Sequence, residues 1–299
     1  MRVLITGSNG LLGQKLIARL HAEEGVELIA TSRGANKLAK LYPAVRFVQL
    51  DVTDQTQVEQ VLMQEQPTHL IHTAAMTNVD ECELNQADCW KQNVTAVENL
   101  VAVCERQQVH LVHVSTDFIF DGKEGPLTEE AVPAPVNFYG KSKLAAEQAV
   151  QRSRGPWAIV RTVLVYGVAH EYGRTNLVLW VRDSLRAQQP IQVVDDQLRT
   201  PTLAEDLAQG CWLAALYNAS GIYHVSGQEV LTPFQMALRV ADFFQLDSRL
   251  ISRVDASTFS QPAKRPLRTG FIIDKAQREL GYAPHSLEQG MALVAQQAG

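Results

Sequence analysis

A tyrosine and a lysine one helical turn apart have the types and spacing that suit acid-base chemistry. Tyr139 and Lys143 lie four positions apart in NFYGKSK, so on a helix their side chains share one face. A phenol titrates near pH ~10 and becomes a phenolate more easily beside positive charge. Thr116 comes just after the apolar run HLVHV, at a predicted strand end where ligands of α/β sheets bind. We expect Tyr139 to exchange a proton with a substrate oxygen, Thr116 to hold that oxygen, and Lys143 to favour the phenolate.

A glycine-rich turn near the N-terminus predicts a dinucleotide site. The first apolar run ends in TGSNGLLG, directly before an amphipathic stretch. Glycine permits a tight turn, and the backbone N–H groups at a helix start bind pyrophosphate. The Gly-x-x-Gly-x-x-Gly spacing is typical of extended short-chain dehydrogenases/reductases. The residues of this turn that we expect to bind the cofactor are Gly7, Asn9, Gly10, Leu11, Leu12 and Gly13.

The end of the second predicted strand bears on the choice between NAD and NADP. It reads Thr31-Ser32-Arg33, without the carboxylate that usually binds the ribose 2′-hydroxyl of NAD. Because arginine pairs well with a 2′-phosphate, Ser32 and Arg33 favour NADP(H) over NAD(H), which we keep as the second choice. Further cofactor contacts are expected at Asp51, Val52, Thr73, Ala74, Ala75, Tyr139 and Lys143, and Lys143 should anchor the nicotinamide ribose.

These residues come together only if a parallel sheet positions them, and the first half of the chain predicts one. Short β-branched runs alternate with amphipathic stretches from residue 2 to about 161. This alternation gives parallel pairing with helices on both faces. We predict strands at Arg2–Thr6, Glu27–Thr31, Arg46–Gln49, His69–Thr73, His110–Ser115 and Ala158–Arg161. The predicted fold is therefore α/β, with a Rossmann-type doubly wound parallel sheet as an NAD(P)-binding domain over residues 1–161.

The remaining residues, 162–299, predict a smaller α/β C-terminal lobe that binds the substrate. This part is less regular and contains many prolines. Helices are predicted near Leu177–Gln188, Leu203–Tyr217, Pro233–Phe244 and Asp274–Leu280, and short strands near Ile191–Val194 and Gly221–Val225. We expect some of these segments to return to the Rossmann sheet.

Charge and composition argue against several classes of protein. The 299 residues include 27 basic and 32 acidic side chains, and no basic run suits a nucleic acid. No apolar stretch is long enough to span a bilayer, and the N-terminus lacks a secretory signal, so we predict a cytoplasmic protein. The four cysteines lack CxxC spacing, and His110 and His113 have no carboxylate or cysteine at ligand spacing, so we predict no metal site.

Longer stretches resemble the dTDP-4-dehydrorhamnose reductase family of extended short-chain reductases. The matching segments are TGSNGLLG, AAMTNVDECE, STDFIFDG, NFYGKSKLAAE, DDQLRTPTLAEDLA, GIYHVSG and KRPLRTGFIIDKAQRELGYAP. The resemblance implies that Thr116, Tyr139 and Lys143 are the catalytic residues and that Asn93 helps to order the site beside the cofactor. It also implies a substrate cleft between the sheet and the C-terminal lobe. The substrate contacts expected there are Thr116, Asp117, Asn176, Arg199 and Arg265, and the last three of these are expected to contact a nucleotide diphosphate.

Two departures from the family pattern concern the wall of the pocket. Leu164 in RTVLVYG stands where an aromatic side chain is common, and Arg199 occupies the variable stretch before Thr200-Pro201-Thr202. Both leave the hydride-transfer residues unchanged, so the type of reaction is better defined than the substrate.

The resemblance predicts an NAD(P)H-dependent reductase that acts on the C4 ketone of a nucleotide-linked 4-keto-6-deoxysugar, with dTDP-4-dehydrorhamnose as the leading substrate and Tyr139 as general acid. One alternative is an epimerase or dehydratase, although Phe118 follows Asp117 where a dehydratase needs a second carboxylate. The other alternative is an NAD(P)-binding regulatory subunit that resembles the methionine adenosyltransferase β subunit. The amphipathic helices are also compatible with a homodimer.

Overall fold

The computed structural model describes residues 1–171 and 175–298. Its strands are β1 (Arg2–Thr6), β2 (Glu27–Ser32), β3 (Arg46–Gln49), β4 (His69–His72), β5 (His110–Thr116), β6 (Trp157–Thr162), β7 (Val165–Tyr166), β8 (Ile191–Val194), β9 (Thr202–Leu203), β10 (Gly221–His224) and β11 (Ile251–Val254). Its α-helices are α1 (Leu11–Leu20), α2 (Gln55–Glu65), α3 (Val79–Leu84), α4 (Gln86–Trp90), α5 (Ala96–Gln107), α6 (Phe138–Gln151), α7 (Leu177–Arg186), α8 (Ala204–Leu216), α9 (Pro233–Phe243), α10 (Asp274–Leu280) and α11 (Leu287–Ala298). A π-helical turn at Lys91–Thr95 joins α4 to α5.

A parallel sheet organises the described chain. Its seven strands run in the order β10-β6-β5-β4-β1-β2-β3, and every neighbouring pair is parallel. The chain order reverses between β1 and β4, and ligands of such sheets bind at this switch point. The predicted Rossmann-type sheet is thus confirmed. Because β10 pairs with β6, a segment of the second half returns to this sheet; the division at residue 161 stays a prediction.

Successive strand residues point to opposite faces of the sheet, and each face has its own buried core. Ile5 and Ile71 belong to the core that includes residues of α1 and α8. Leu4 and Leu70 belong to the core on the other side, with residues of α2, α5 and α6. Neighbouring residues alternate between the two cores because a strand has a period of two residues. Helices cover both faces of the sheet, so the residues on both faces of a strand are apolar.

A smaller lobe of α and β elements has a third core. Strands β8 and β11 pair in parallel, and the core includes residues of α7, α9 and α11, among them Val181, Val240 and Met291. A capping box at Thr232 and Gln235 fixes the start of α9. Within residues 1–171 and 175–298, no helix is long and apolar enough to cross a membrane.

Candidate active site

A cleft of about 880 Å³ lies along the carboxyl ends of the central strands. Residues that follow β1, β2 and β4 line one part of it, and Thr116 at the end of β5 lines another. Leu164, Asn176 and Leu179, from the second half of the chain, close the opposite side. The cleft is therefore at the switch point of the sheet, where both parts of the chain contribute to its walls.

The glycine turn after β1 gives the cleft a site for an anion. Gly7 has φ +71°, and a Cβ there would lie 2.7 Å from the backbone nitrogen of Ala74. A Cβ on Gly13 would lie 2.3 Å from the carbonyl oxygen of Gly7, so the close turn requires both glycines. No side chain in the described chain caps α1, and Gly10, Leu11, Leu12 and Gly13 line the cleft. The N–H groups of the first turn are thus left for a ligand, which fits the pyrophosphate of a dinucleotide.

Asn9 supports this turn from outside the cleft. Its amide donates to the hydroxyl of Ser32 and to the carbonyl of Ala35, both at 2.8 Å, and its oxygen accepts from the N–H of Lys37 at 3.1 Å. It is not among the residues that line the cleft. The structure therefore places Asn9 as a brace between the glycine turn and the loop after β2, while its predicted contact with the cofactor stays a prediction.

The far end of the cleft carries opposite charges at the expected adenosine position. Ser32, Arg33, Asp51 and Val52 all line it. Burial by itself would raise the pKa of Asp51, but hydrogen bonds from Thr53 at 2.9 and 2.8 Å, with the nearby charge of Arg33, lower it overall. An ionised carboxylate at this place can accept hydrogen bonds from a ligand amino group. Thr73, Ala74 and Ala75 line the stretch between this end and the catalytic residues.

Thr116, Tyr139 and Lys143 line the same cleft. Tyr139 lies in the first turn of α6, which Asn137 caps by accepting from the N–H of Gly140 at 2.8 Å. A Cβ on Gly140 would lie 2.1 Å from the carbonyl oxygen of Phe118, so glycine lets α6 pack closely on the turn after β5. This packing brings Tyr139 within hydrogen-bond reach of Thr116.

The protonation of Tyr139 differs from the expectation that Lys143 favours the phenolate. Burial raises the pKa of Tyr139, and the hydrogen bond with Thr116 lowers it only in part. The Lys143 ammonium donates instead to the carbonyl of Val114 at 2.8 Å and lies 3.3 Å from Nε2 of His113. The raised pKa keeps Tyr139 as a phenol, which is the form that a proton donor needs.

Asp117 connects Thr116 to a buried network. The Thr116 hydroxyl donates to Oδ1 of Asp117 at 3.1 Å, and Oδ2 accepts from the hydroxyl of Thr269. Nε of Arg199 lies 3.7 Å from the same Oδ2. Burial raises the pKa of Asp117, while Arg199 and the two hydroxyl donors oppose that shift. Asp117 itself lines the cleft, so the hydrogen bond from Thr116 connects the cleft wall to this buried network.

Asn93 lies in the π-helical turn and braces the floor of the cleft. Its oxygen accepts from the N–H of Met76 at 2.8 Å, and its amide donates to the carbonyl of Met76 and to the hydroxyl of Ser142, both at 3.0 Å. Met76 lines the cleft, whereas Asn93 is 1 % exposed and does not. Asn93 thus ties the segment of Met76 to α6, and both its ordering role and its contact with the cofactor stay predictions.

Two arginines that are predicted to bind a diphosphate form hydrogen bonds with other groups of the protein. Arg199 is 3 % exposed and donates to the carbonyls of Leu198, Pro266 and Leu267 and to the side chain of Gln197. Arg265 forms two hydrogen bonds of 2.6 Å with the carboxylate of Asp80. Neither lines the cleft. In this arrangement both guanidinium groups hold the segment around residues 263–269 in place, and their predicted contacts with a diphosphate stay predictions.

Asn176 does line the cleft, but it also has a local structural task. Its oxygen accepts from the N–H of Leu179 at 3.2 Å as the N-cap of α7, and its amide donates to the carbonyl of Gly167 at 2.7 Å.

Sequence reasoning missed several small or apolar residues of the cleft wall, because their residue types do not distinguish a cleft wall from a core. They include Met76, Thr77, Val79, Val165, Gly167, Ala169, Thr175, Leu179 and Leu207, and the polar Gln92 was missed as well.

A pair of variants separates the two roles of Arg265. If Arg265 acts by holding Asp80, Asp80→Asn and Arg265→Ala should each lower the free energy of unfolding by about 1 kcal/mol, because the pair is partly exposed. Both should change the substrate KM alike. Urea unfolding and steady-state kinetics measure this. A large rise in KM for Arg265→Ala alone would instead place the guanidinium on the substrate.

The fold and the cleft define an oxidoreductase of the extended short-chain dehydrogenase/reductase type, with a site for a nicotinamide cofactor. Over residues 1–299 the chain matches the family model described as the RmlD substrate binding domain, and it belongs to that family.

Three similar proteins illustrate the range of this family. The chain is 33 % identical over 288 residues to the dTDP-4-keto-6-deoxy-D-glucose reductase of Streptomyces niveus, which covers 95 % of this chain and 92 % of the relative. The crystal structure of dTDP-4-dehydrorhamnose reductase from Bacillus anthracis in complex with NADP is 30 % identical, with a TM-score of 0.86 and coverage of 99 % of both chains. The methionine adenosyltransferase 2 subunit beta of Mus musculus is 29 % identical over 310 residues, covering 93 % of this chain and 90 % of the relative.

Proposed function

We propose that the protein is an NADPH-dependent reductase of the C4 ketone of a dTDP-linked 4-keto-6-deoxysugar, with dTDP-4-dehydrorhamnose as the leading substrate. The observation that carries this proposal is the presence of Thr116, Tyr139 and Lys143 in one cleft with the glycine turn after β1. The reductase activities for which the Streptomyces and Bacillus relatives are named support the substrate class.

Each of the three residues has a separate task in this reaction. When bound, the nicotinamide supplies the hydride that reaches the carbonyl carbon. Tyr139 donates its phenolic proton to the carbonyl oxygen, and its raised pKa keeps that proton in place until the substrate arrives. Thr116 hydrogen bonds to the same oxygen. Lys143 uses two donors inside the protein and offers the third to the nicotinamide ribose.

The buried network behind Thr116 belongs to this mechanism as support. The hydroxyl of Thr116 has one proton, and it donates a hydrogen bond to Oδ1 of Asp117. To donate to a ketone oxygen, the hydroxyl turns away from Asp117, whose carboxylate keeps the hydrogen bond from Thr269 and the charge of Arg199. The side chain of Asp117 is thereby satisfied in both states, so this turn leaves no unpaired buried charge.

The alternatives make different demands on the same cleft. A dehydratase needs a second carboxylate after Asp117, and Phe118 occupies that position, with its ring 5.7 Å from that of Tyr139. A regulatory subunit needs no proton donor, yet the structure keeps Tyr139 buried and in one cleft with Thr116 and Lys143. Both observations favour the reductase.

Arg33 should distinguish NADPH from NADH. Removing its guanidinium takes away a charge-assisted contact with the 2′-phosphate, so Arg33→Ala should weaken NADPH binding by about 1.5–3 kcal/mol and leave NADH binding nearly unchanged. Titration of both cofactors by nucleotide fluorescence measures the difference. Gln49 is a suitable control position, because its amide bonds only to the Arg33 carbonyl among the described contacts; Gln49→Ala should affect both cofactors alike. Equal losses of the two cofactors in Arg33→Ala would contradict the 2′-phosphate contact.

A substrate screen tests the proposal itself. Purified protein is mixed with NADPH and with thymidine- or uridine-diphosphate 4-keto-6-deoxysugars, and the absorbance of the reduced cofactor is followed. We expect oxidation of NADPH with a thymidine-linked sugar and little with the uridine-linked one. Tight NADPH binding without turnover of any keto-sugar would overturn the reductase and favour the regulatory subunit.

A further inference from the structure

We propose that His113 is a positioning residue for the reductase reaction, in which its imidazole holds the Lys143 ammonium so that one N–H points at the cofactor ribose. This proposal rests on the proposed function, since it concerns the lysine of the same site. His113 lies in the middle of β5, one residue before Val114, and its side chain is wholly buried.

The contacts of the Lys143 ammonium carry the argument. An ammonium has three donors and no acceptor. One donor goes to the carbonyl of Val114 at 2.8 Å and a second points at Nε2 of His113, 3.3 Å away. Lys143 is 3 % exposed and lines the cleft, so the third donor is the one that can reach a ligand there. Two fixed contacts thus determine where the third N–H points.

The chemistry of the contact defines the state of the imidazole. Since the ammonium only donates, Nε2 of His113 accepts with its lone pair and the ring proton resides on Nδ1. Burial holds the pKa of His113 well below its usual value, and the charge of Lys143 lowers it further. His113 is therefore a neutral acceptor, and its dipole favours the charged form of Lys143.

The burial of this imidazole is otherwise unfavourable. Its Nδ1 has no hydrogen-bond partner among residues 1–171 and 175–298, and its neighbours on the strand are Val112 and Val114. A buried polar group without a partner destabilises the fold, so an apolar residue would suit this position better if it served packing alone. The contact with Lys143 is what an apolar residue could not supply.

His72 keeps the imidazole of His113 in place from the next strand. The two rings stack with centroids 5.5 Å apart and an interplanar angle of 20°. Nδ1 of His72 lies 2.7 Å from the hydroxyl of Thr6, which fixes its ring on β4. Burial lowers the pKa of His72 to about 3, so this neighbour adds no charge near neutral pH.

The charged groups around Lys143 define how its titration responds to the loss of His113. Burial lowers the pKa of Lys143 to about 8, while Glu147 on α6 and Cys89 on α4 act to raise it. Glu147 is itself paired with Arg161 of β6, and Tyr139 of α6 remains a phenol. Removing the His113 acceptor destabilises only the protonated form of Lys143, so the pKa of Lys143 should fall. The decline of activity at alkaline pH should then begin at a lower pH.

The test compares three variants with the wild-type chain. His113→Phe keeps a buried ring that can stack on His72 but removes the acceptor, and His113→Gln restores an acceptor. His110→Leu is the matched control, because His110 is a buried histidine of the same strand whose Nε2 bonds to the carbonyl of Ala219 at 2.8 Å, outside the cleft. The readouts are the NADPH Kd, the pH profile of kcat/KM and thermal unfolding.

We expect His113→Phe to weaken NADPH binding about tenfold and to move the alkaline limb of the profile to lower pH by roughly one unit. His113→Gln should recover most of both effects, and His110→Leu should change stability alone. If His113→Phe does not fold, His113→Leu takes its place. Wild-type NADPH affinity and an unmoved alkaline limb in a folded His113 variant would overturn the proposal. The NADPH Kd is measured without any sugar, so it tests His113 independently of the reaction. A wild-type chain that binds NADPH but reduces no keto-sugar would refute the proposed function. The NADPH Kd of the His113 variants would still decide on the role of His113.

Discussion

Tyr139→Phe is expected to lower kcat about 10²–10⁴-fold, the range in which a positioned general acid contributes. The substitution deletes only the phenolic oxygen of Tyr139, which lines the cleft together with Thr116. The ring keeps its edge contact with Phe118 at 5.7 Å between centroids, so α6 has no reason to move. Turnover at saturating NADPH and sugar measures the effect, with NADPH titration and thermal unfolding showing that binding and fold persist.

Tyr223→Phe is a matched control for this experiment. Its hydroxyl donates to Glu279 at 3.1 Å, outside the cleft, so a tyrosine hydroxyl is lost in both variants but only one of them faces the substrate. Tyr223→Phe should leave kcat within about threefold of the wild type. If Tyr139→Phe behaves like this control, the proton comes from another group, and a chain that binds NADPH without using Tyr139 agrees better with a regulatory subunit.

The central sheet was predictable because its strands are short apolar runs with clear ends. Arg2–Thr6 and Arg46–Gln49 have the predicted bounds, and the glycine turn follows β1 where the spacing placed it. Once the strands are parallel, their carboxyl ends meet at one edge, so Thr116 and the glycine turn come to one cleft although they are far apart in sequence. The parallel topology therefore brings motifs that are far apart in sequence together in one site.

The partners of individual side chains could not be predicted in this way. Whether Arg199 binds a diphosphate or a backbone carbonyl depends on the path of residues 263–269, which lack a helical or strand period. Lys143 has the same difficulty, because His113 approaches it from another element. Helix periodicity places Lys143 on the face of Tyr139 but says nothing about which acceptors lie opposite. Contacts of this kind depend on how the elements pack against one another, which local sequence patterns do not predict.

A buried ion pair between β6 and α6 should contribute strongly to the stability of the site. Nε and an Nη of Arg161 donate to the two carboxylate oxygens of Glu147 at 2.9 and 2.7 Å, and the side chains are 2 % and 0 % exposed. Arg161→Met removes one partner and leaves the carboxylate uncompensated in the core. We expect the free energy of unfolding to fall by about 3–5 kcal/mol, measured by urea denaturation.

The double variant Arg161→Met with Glu147→Leu tests whether the two charges are coupled in their contribution to stability. Removing both charges leaves no buried ion without a partner, so the double variant should be clearly more stable than Arg161→Met alone. A loss equal to the sum of the two single losses would show that each side chain acts through packing and that the pair has no coupling. Glu147 lies one turn beyond Lys143 on the helix that also carries Tyr139. Arg161 lines no part of the cleft, so the main loss of the Arg161 single variant should appear in stability.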